Sequence, residues 1–439
     1  MPTDRPAGNA LKLAWYGDDF TGATDTLATA AQAGLRALLF LGLPTAEQLR
    51  SAGPLDCLGI AGAARSMTPA EMQAELAPVG RLFAELDVPV MHYKTCSTFD
   101  SAPGTGSIGA AIRILQGHAG NPLVAIVGGQ PNLRRYCVFG NLFAASASGM
   151  HRIDRHPTMS RHPVTPMHEA DLRVHLAAQG LAQVASLDYP DYGKPEEVLD
   201  QQLDALLQQK PDAVLFDVAH DGDLAPIGRL IWRQARQQRL LAAGPSSVVQ
   251  ALASQWQAPP AAKGTGIAPA QGPVLVLAGS QSPMTAQQIS AATSYARFEL
   301  DASRLAQDAA YRTEAAASIA AQLGQGHHVM AHTTPAASTA TNAGTVDARA
   351  LAMACGKLLA AILSRTPLRR LAIAGGDTSS HAVQALDAWG LSYLAQLAPG
   401  VALCRLHSEN AALDGLEIAL KGGQMGSETL FEDLLHGTA

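Results

Sequence analysis

Adjacent carboxylates at Asp18 and Asp19, with Thr21 and Gly22 just behind them, are the clearest chemical signal in the chain. The apolar run 11–16 predicts a buried strand and the alanine-rich run 23–32 predicts a helix, so the acids lie on a strand-to-helix turn. In open α/β sheets ligands bind at such turns, because unpaired backbone N–H groups and the positive end of the helix dipole attract an anion. A carboxylate beside an anion site suits the removal of a proton from a hydroxyl on a negatively charged substrate. The plainer reading is that Asp19 or Thr21 only caps the helix.

Other clusters add to this chemistry. A predicted strand at 89–94 delivers Tyr93-Lys94-Thr95-Cys96-Ser97-Thr98-Phe99-Asp100 into a loop, and the strand at 55–61 is followed by Arg65. Three glycine-rich turns, Gly279-Ser280-Gln281-Ser282, Gly375-Gly376-Asp377-Thr378 and Lys421-Gly422-Gly423, each follow a predicted strand and precede a helix. Glycine lets backbone approach a phosphate closely and Ser or Thr adds a donor, so three such turns on one sheet edge would form a polyphosphate cradle.

Several sharper motifs fail. Gly104-Thr105-Gly106-Ser107-Ile108-Gly109 matches a dinucleotide fingerprint in letters, but it does not follow its strand directly and no acid stands between Asp100 and Asp154. No glycine-rich loop ends in Lys-Ser or Lys-Thr, so there is no P-loop. An Asp-x-Asp phosphatase pair is broken by Phe20. His151, His156, His162 and His168 have no helical ligand spacing and are interrupted by Pro157 and Pro163, so no metal site is expected.

The elements that must position these residues alternate strand and helix along the chain. Thr68, Pro69 and Glu71 form a helix start with a capping box, running to about 86, and Thr165-Pro166 predicts another helix through about 178. Strands at 183–187 and 213–218 alternate with helices at 195–208 and 224–238. Residues 257–273 are rich in Pro, Gly and Ala and read as a linker, after which the alternation restarts at 274. The expectation is two three-layer α/β domains with mainly parallel sheets, 11–256 and 274–435.

Composition bounds the function. Hydrophobic residues make up 47% and charged residues 15% of 439 residues, which describes a folded chain rather than a disordered one. The net charge of −6 and the absence of a basic cluster argue against nucleic acid. Five scattered cysteines without a C-x-x-C pair suggest reduced thiols in a cytoplasm. The first ten residues lack a leader's apolar region, and 35–43 is too short to span a bilayer, so no membrane role is expected. A homodimer is the base-rate expectation for the assembly.

Taken together, Asp18-Asp19-Phe20-Thr21-Gly22-Ala23-Thr24-Asp25, Cys96-Ser97-Thr98-Phe99-Asp100-Ser101, Met159-Ser160-Arg161-His162-Pro163-Val164-Thr165-Pro166-Met167, Gly375-Gly376-Asp377-Thr378 and Lys421-Gly422-Gly423 resemble the four-carbon acid sugar kinases. The motifs keep the family order from residue 11 to about 433 and look most like the 3-oxo-tetronate kinases, with threonate and erythronate kinases as siblings. The resemblance implies a sugar-acid-binding N-terminal domain, an ATP-binding C-terminal domain, and phosphorylation of the acid's terminal hydroxyl, with closure across the linker during turnover. In that scheme Asp19 is the base, with Asp18 as alternate. Arg65 and Lys94 hold the carboxylate, while Ser97, Thr98 and Asp100 read hydroxyls, and Thr21, Gly22 and His162 complete the acid site. Ser280, Gly375, Gly376, Asp377, Thr378, Gly422 and Gly423 cradle ATP, with Mg2+ bound mostly through phosphate oxygens and water. Thr105-Gly106-Ser107-Ile108-Gly109 departs from the family's usual Lys-Gly-Asn-Ile-Gly, and the Asn-Gly-Arg pattern is altered around Pro131-Asn132-Leu133-Arg134-Arg135. Both departures fall in the substrate half. A sugar-acid sensor that uses ATP only as a ligand, and a metal-dependent hydrolase built on the histidines, are the rivals from other classes.

Overall fold

The computed structural model describes residues 11–438 apart from 147, 163, 257–265, 281 and 334–346. Most of the expected linker, 257–265, therefore lies outside the described residues. The chain divides into two compact units: one takes the chain up to Asp18, Thr29–Ala37 and Leu49–Ala261, and the other takes Asp19–Ala28, Leu38–Gln48 and the chain from Ala262 onward. The chain first passes from one unit to the other at the Asp18–Asp19 peptide bond.

The first unit is built on seven parallel strands in the order Cys57–Ala61, Leu13–Gly17, Val90–Lys94, Leu240–Gly244, Val124–Val127, Ala213–Phe216 and Val184–Leu187. The strands Leu13–Gly17, Cys57–Ala61, Val90–Lys94 and Leu240–Gly244 are buried along their whole length, as expected when helices cover both faces. Register aligns Gly17 with Ala61 and Lys94, and Lys94 with Gly244, so these strands end in one row. The loops that follow carry Asp18, Arg65 and 95–100 away from a common edge.

Local signals place the helices well. Thr68 accepts the Glu71 N–H while the Glu71 carboxylate accepts the Thr68 N–H, starting the helix Pro69–Glu85 as the sequence predicts. The helix expected from Thr165-Pro166 does not form there. The Thr165 hydroxyl bonds His162 instead, and the helix Leu172–Ala177 starts later, capped by Asp171. The intervening backbone is held extended, with the Leu142 N–H donating to Ala170 and the Ala170 and Asp171 N–H groups donating to Glu169.

A separate three-stranded antiparallel sheet, Arg135–Val138, Asn141–Ser146 and Gly149–Arg152, was not expected from the sequence. Its first hairpin turns through Phe139 and Gly140, both with positive φ (50° and 79°), and the Asp217 carboxylate accepts both of their N–H groups.

The second unit has five parallel strands in the order Ala296–Glu299, Val329–His332, Val274–Ala278, Arg370–Ala374 and Glu417–Lys421. An antiparallel hairpin, Gly390–Ala398 and Val401–His407, continues the sheet and pairs with Leu39 and Phe40 of the short strand Ala37–Phe40. Ala278, His332, Ala374 and Lys421 end in register, so this unit also collects its loops on one edge. Val274, Val276, Ala372, Leu403, Phe431 and Leu434 form part of its core. Each large apolar side chain buried there contributes about 1.5–3 kcal/mol. Among the described residues no helix is long and apolar enough to cross a membrane.

Candidate functional site

In the first unit, Asp18 receives the Arg65 guanidinium through two bonds, Nη2 to Oδ1 at 2.7 Å and Nε to Oδ2 at 3.2 Å. The Arg65 side chain is only 18% exposed, so this is a partly buried bidentate pair rather than a surface salt bridge. Backbone bonds fix the same corner: the Asp18 N–H donates to Lys94 and the Arg65 N–H to Asp18. Gly106 (φ 60°) packs against it, and a Cβ there would lie 2.4 Å from the Arg65 carbonyl oxygen.

Lys94 is 3% exposed and its ammonium donates to the Thr95 carbonyl at 2.6 Å. Among the described residues it has no carboxylate partner. Thr98 donates to Asp100 at 2.5 Å, and Ser97 is buried in the same loop. Burial pushes the Asp100 carboxyl up. The charges of Arg65 and His162 and the Thr98 hydroxyl outweigh it and hold Asp100 below the usual carboxylate range. The His162 Nδ1 accepts from the Thr165 N–H and faces its hydroxyl, both at 3.1 Å. Burial and the Asp100 charge push the Cys96 thiol up to about 11, and it lies 2.9 Å from the Thr98 hydroxyl.

Sequence reading does not find what holds this loop. Phe99 is left-handed (φ 53°), and its carbonyl accepts from Ser101 at 2.9 Å with His175 Nε2 3.2 Å away. Buried Gln179 donates to Ser101 while its oxygen accepts from Ser107 and the Gly109 N–H. It thereby ties the loop to the segment that departs from the family pattern. Arg135 is also missed: its Nη1 donates to Leu133 at 2.6 Å, and its buried Nε has no hydrogen-bond partner among the described residues. The His175 and Gln179 contacts join residues 70 or more apart in sequence, and the local Ser101–Phe99 and Arg135–Leu133 bonds follow no motif.

In the second unit, Asp19 accepts the Thr21 hydroxyl at 2.6 Å and the Gly22 N–H at 2.8 Å, so it does cap the helix Phe20–Gln32. The Phe20 N–H donates to Ser380, whose hydroxyl donates to Gly376. A Cβ on Gly422 would lie 3.9 Å from the Thr21 hydroxyl. The acidic turn is thus seated on two of the three glycine turns.

Those turns pack directly on one another. The Gly279 N–H donates to Ala374 and the Gly375 N–H to Lys421. A Cβ would come within 2.3 Å of the Thr378 hydroxyl at Gly279, 3.0 Å of the same hydroxyl at Gly375, and 2.8 Å of the Ser280 hydroxyl at Gly423. Gly375 has a φ of 121° and leaves the helix Gly376–Gln384 without a side-chain cap. The result is a glycine-walled strand edge in which the Gly279 and Gly375 N–H groups are taken by neighbouring strands, and the opening turn of the helix Gly376–Gln384 supplies the donors suited to a phosphate. Asp377 lies in the first turn of that helix, and its side chain is outside the described residues. The ammonium of Lys421 is part of the wall, donating to Thr285 and Gly423. No group of three metal-ligating side chains gathers among the described residues.

Comparison with known proteins places these two surfaces in context. Residues 13–252 match the family model of a sugar-binding N-terminal domain, and residues 275–431 that of a nucleotide-binding C-terminal domain. The 3-oxo-isoapionate kinase of Paraburkholderia graminis is 40% identical over 446 residues, covering 97% of this chain and 94% of that protein. The 3-oxo-tetronate kinase of Methylobacterium radiotolerans is 29% identical over 432 residues, covering 96% and 98%. The crystal structure of Haemophilus influenzae protein HI1011 superposes with a TM-score of 0.69 at 25% identity, covering 95% of this chain and 98% of that one.

The Gly106 contact gives a direct check on the Arg65 corner. Gly106→Ala should destabilise the chain by about 1–3 kcal/mol, because a left-handed residue there also pushes on the Arg65 carbonyl. Thermal unfolding measures this, and an unchanged midpoint would show that the corner does not depend on the contact.

Proposed function

We propose that this chain, which belongs to the four-carbon acid sugar kinase family with its sugar-binding N-terminal and nucleotide-binding C-terminal domains, transfers the γ-phosphoryl group of ATP to the terminal hydroxyl of a short 3-oxo sugar acid. The observation that carries the reading is the second unit's strand edge. Three turns approach so closely that Cβ atoms on Gly279, Gly375 and Gly423 would collide, and a carboxylate-bearing turn rests on the same surface.

In this reading residues 11–256 bind the acid, 274–435 bind ATP, and 257–273 join them. Phosphoryl transfer needs positioning, charge neutralisation and a base on the attacking hydroxyl. Asp19 accepts that proton, and its present bonds to Thr21 and Gly22 orient its two oxygens. Asp18 fixes the Arg65 guanidinium. Arg65 and Lys94 receive the substrate carboxylate, and the dry setting of Lys94 raises the value of an anionic partner. Asp100, held ionised, accepts from a substrate hydroxyl, and Ser97, Thr98 and His162 contact the acid's other polar groups. Ser280, Gly375, Gly376, Asp377, Thr378, Gly422 and Gly423 hold the nucleotide. Mg2+ neutralises phosphate charge mainly through phosphate oxygens and water.

Both kinase relatives are named for a 3-oxo acid, and the one at 40% identity is named for 3-oxo-isoapionate. That acid is therefore placed ahead of the 3-oxo-tetronate that the motifs alone suggest, with threonate and erythronate behind. Assaying ADP release with these four acids should give turnover with the 3-oxo acids, highest kcat/KM for 3-oxo-isoapionate. Nucleotide binding without ADP release for any acid would instead indicate a sensor. Arg65→Ala should raise KM for the acid roughly ten- to hundredfold, the value of a charged hydrogen bond, and leave KM for ATP within about twofold. An unchanged KM for the acid would remove Arg65 from the site.

A further inference from the structure

We infer that Lys421 is the charge partner of the nucleotide's phosphates, and that nucleotide binding takes up a proton at its side-chain amine, which becomes the ammonium. The inference rests on the reading of the glycine edge as the ATP cradle. It goes beyond that reading by assigning the site a cation and a proton linkage.

Lys421 closes the strand Glu417–Lys421 and is 1% exposed. Its Nζ donates to the Thr285 hydroxyl at 2.8 Å and the Gly423 carbonyl at 2.9 Å, both neutral acceptors. The Gly423 carbonyl also accepts from Ser282 and Thr285, so three side chains fix the second glycine of the turn. Among the described residues no carboxylate pairs with the ammonium. The helix Pro283–Ala291, the turn 422–427 and the strand Val274–Ala278 carry no ionisable side chain. The strand Arg370–Ala374 carries Arg370, which is engaged with Glu417 at the opposite end, where Arg405 of the antiparallel strand also pairs in register with Glu417. The helix Gly376–Gln384 carries Asp377 and His381 in sequence, and the segment resting on the turn carries Asp19, whose carboxylate takes the Thr21 hydroxyl and the Gly22 N–H.

A buried cation with only neutral partners has two stable outcomes: it gives up its proton, or it gains an anion. Burial pulls Lys421 down to about 7. The sign follows. Above that pH the free protein holds mostly the amine, which retains two N–H donors for Thr285 and Gly423. A phosphate chain against the Gly423 turn favours the ammonium and draws a proton from the buffer. Affinity for nucleotide should accordingly fall as pH rises from 7 to 9, where ATP itself is fully ionised.

The test is calorimetric titration of the full chain with MgATP at pH 8 in two buffers of different ionisation enthalpy. The expected result is an uptake of roughly half to one proton per ATP. Lys421→Met should abolish that uptake and weaken binding by roughly tenfold or more. Should that variant fail to fold, the wild-type proton count and the fall in its affinity between pH 7 and 9 decide the matter alone. Wild-type binding with no proton uptake and a flat pH dependence would overturn the role of Lys421 while leaving the ATP cradle in place. Absence of any MgATP binding by the wild type would overturn the cradle and this inference together.

Discussion

Backbone-to-backbone contact at the ends of parallel strands is the constraint on which the second unit's chemistry depends. Ala278, Ala374 and Lys421 end in register, and the residues after them must pass within hydrogen-bonding distance of one another. A Cβ at Gly279 or Gly423 would press on the Thr378 or Ser280 hydroxyl, and Gly375 has a positive φ of 121° that favours glycine. The strand edge that results presents N–H and O–H donors and almost no side-chain bulk. Lys421 belongs to the same construction, since its chain fills the space under the turn while its head fixes the Gly423 carbonyl.

The acid pair at the start of the chain is organised by a second constraint, the change of direction from strand to helix. Asp18 still belongs to the strand end and is met by Arg65, whereas Asp19 has turned into the helix start and is met by Thr21 and Gly22. Adjacent carboxylates would repel one another if their surroundings were alike. Here one is paired with a guanidinium and the other is held by neutral donors at a helix N-terminus, so the two stand in different surroundings. The first of the chain's passages between the compact units falls on the peptide bond that joins them. The capping reading of Asp19 and the catalytic one are compatible, because a cap bond fixes the carboxylate without using all of its lone pairs.

Much of this was legible in the sequence because the signals were local. Alternating apolar runs marked the parallel strands, Thr68 and Glu71 marked a helix start, and glycine pairs after strands marked the turns. The features that were not legible depend on distant partners. Thr165-Pro166 has the letters of a helix start, yet His162 takes the threonine hydroxyl and Leu142 holds the following chain extended. The hairpin through Phe139 and Gly140 needs the Asp217 carboxylate, nearly eighty residues on, to bind its turn. Gln179 carries no motif, and its importance lies in bridging Ser101 to Ser107 and Gly109. Lys421 was visible as part of a motif, but its lack of a carboxylate partner among the described residues could be seen only once its neighbours were placed.

In the proposed mechanism Asp19 takes a proton from the acceptor hydroxyl while the glycine turns hold ATP. Asp19→Asn tests it most directly, because asparagine is as good a helix cap as aspartate and can still accept from Thr21 or Gly22. The measurement is ATP affinity by calorimetry alongside kcat with the best 3-oxo acid. The account predicts a kcat lower by roughly a hundredfold or more with an ATP Kd within about threefold of wild type. Equal losses of ATP binding and turnover, or full activity in the variant, would contradict it.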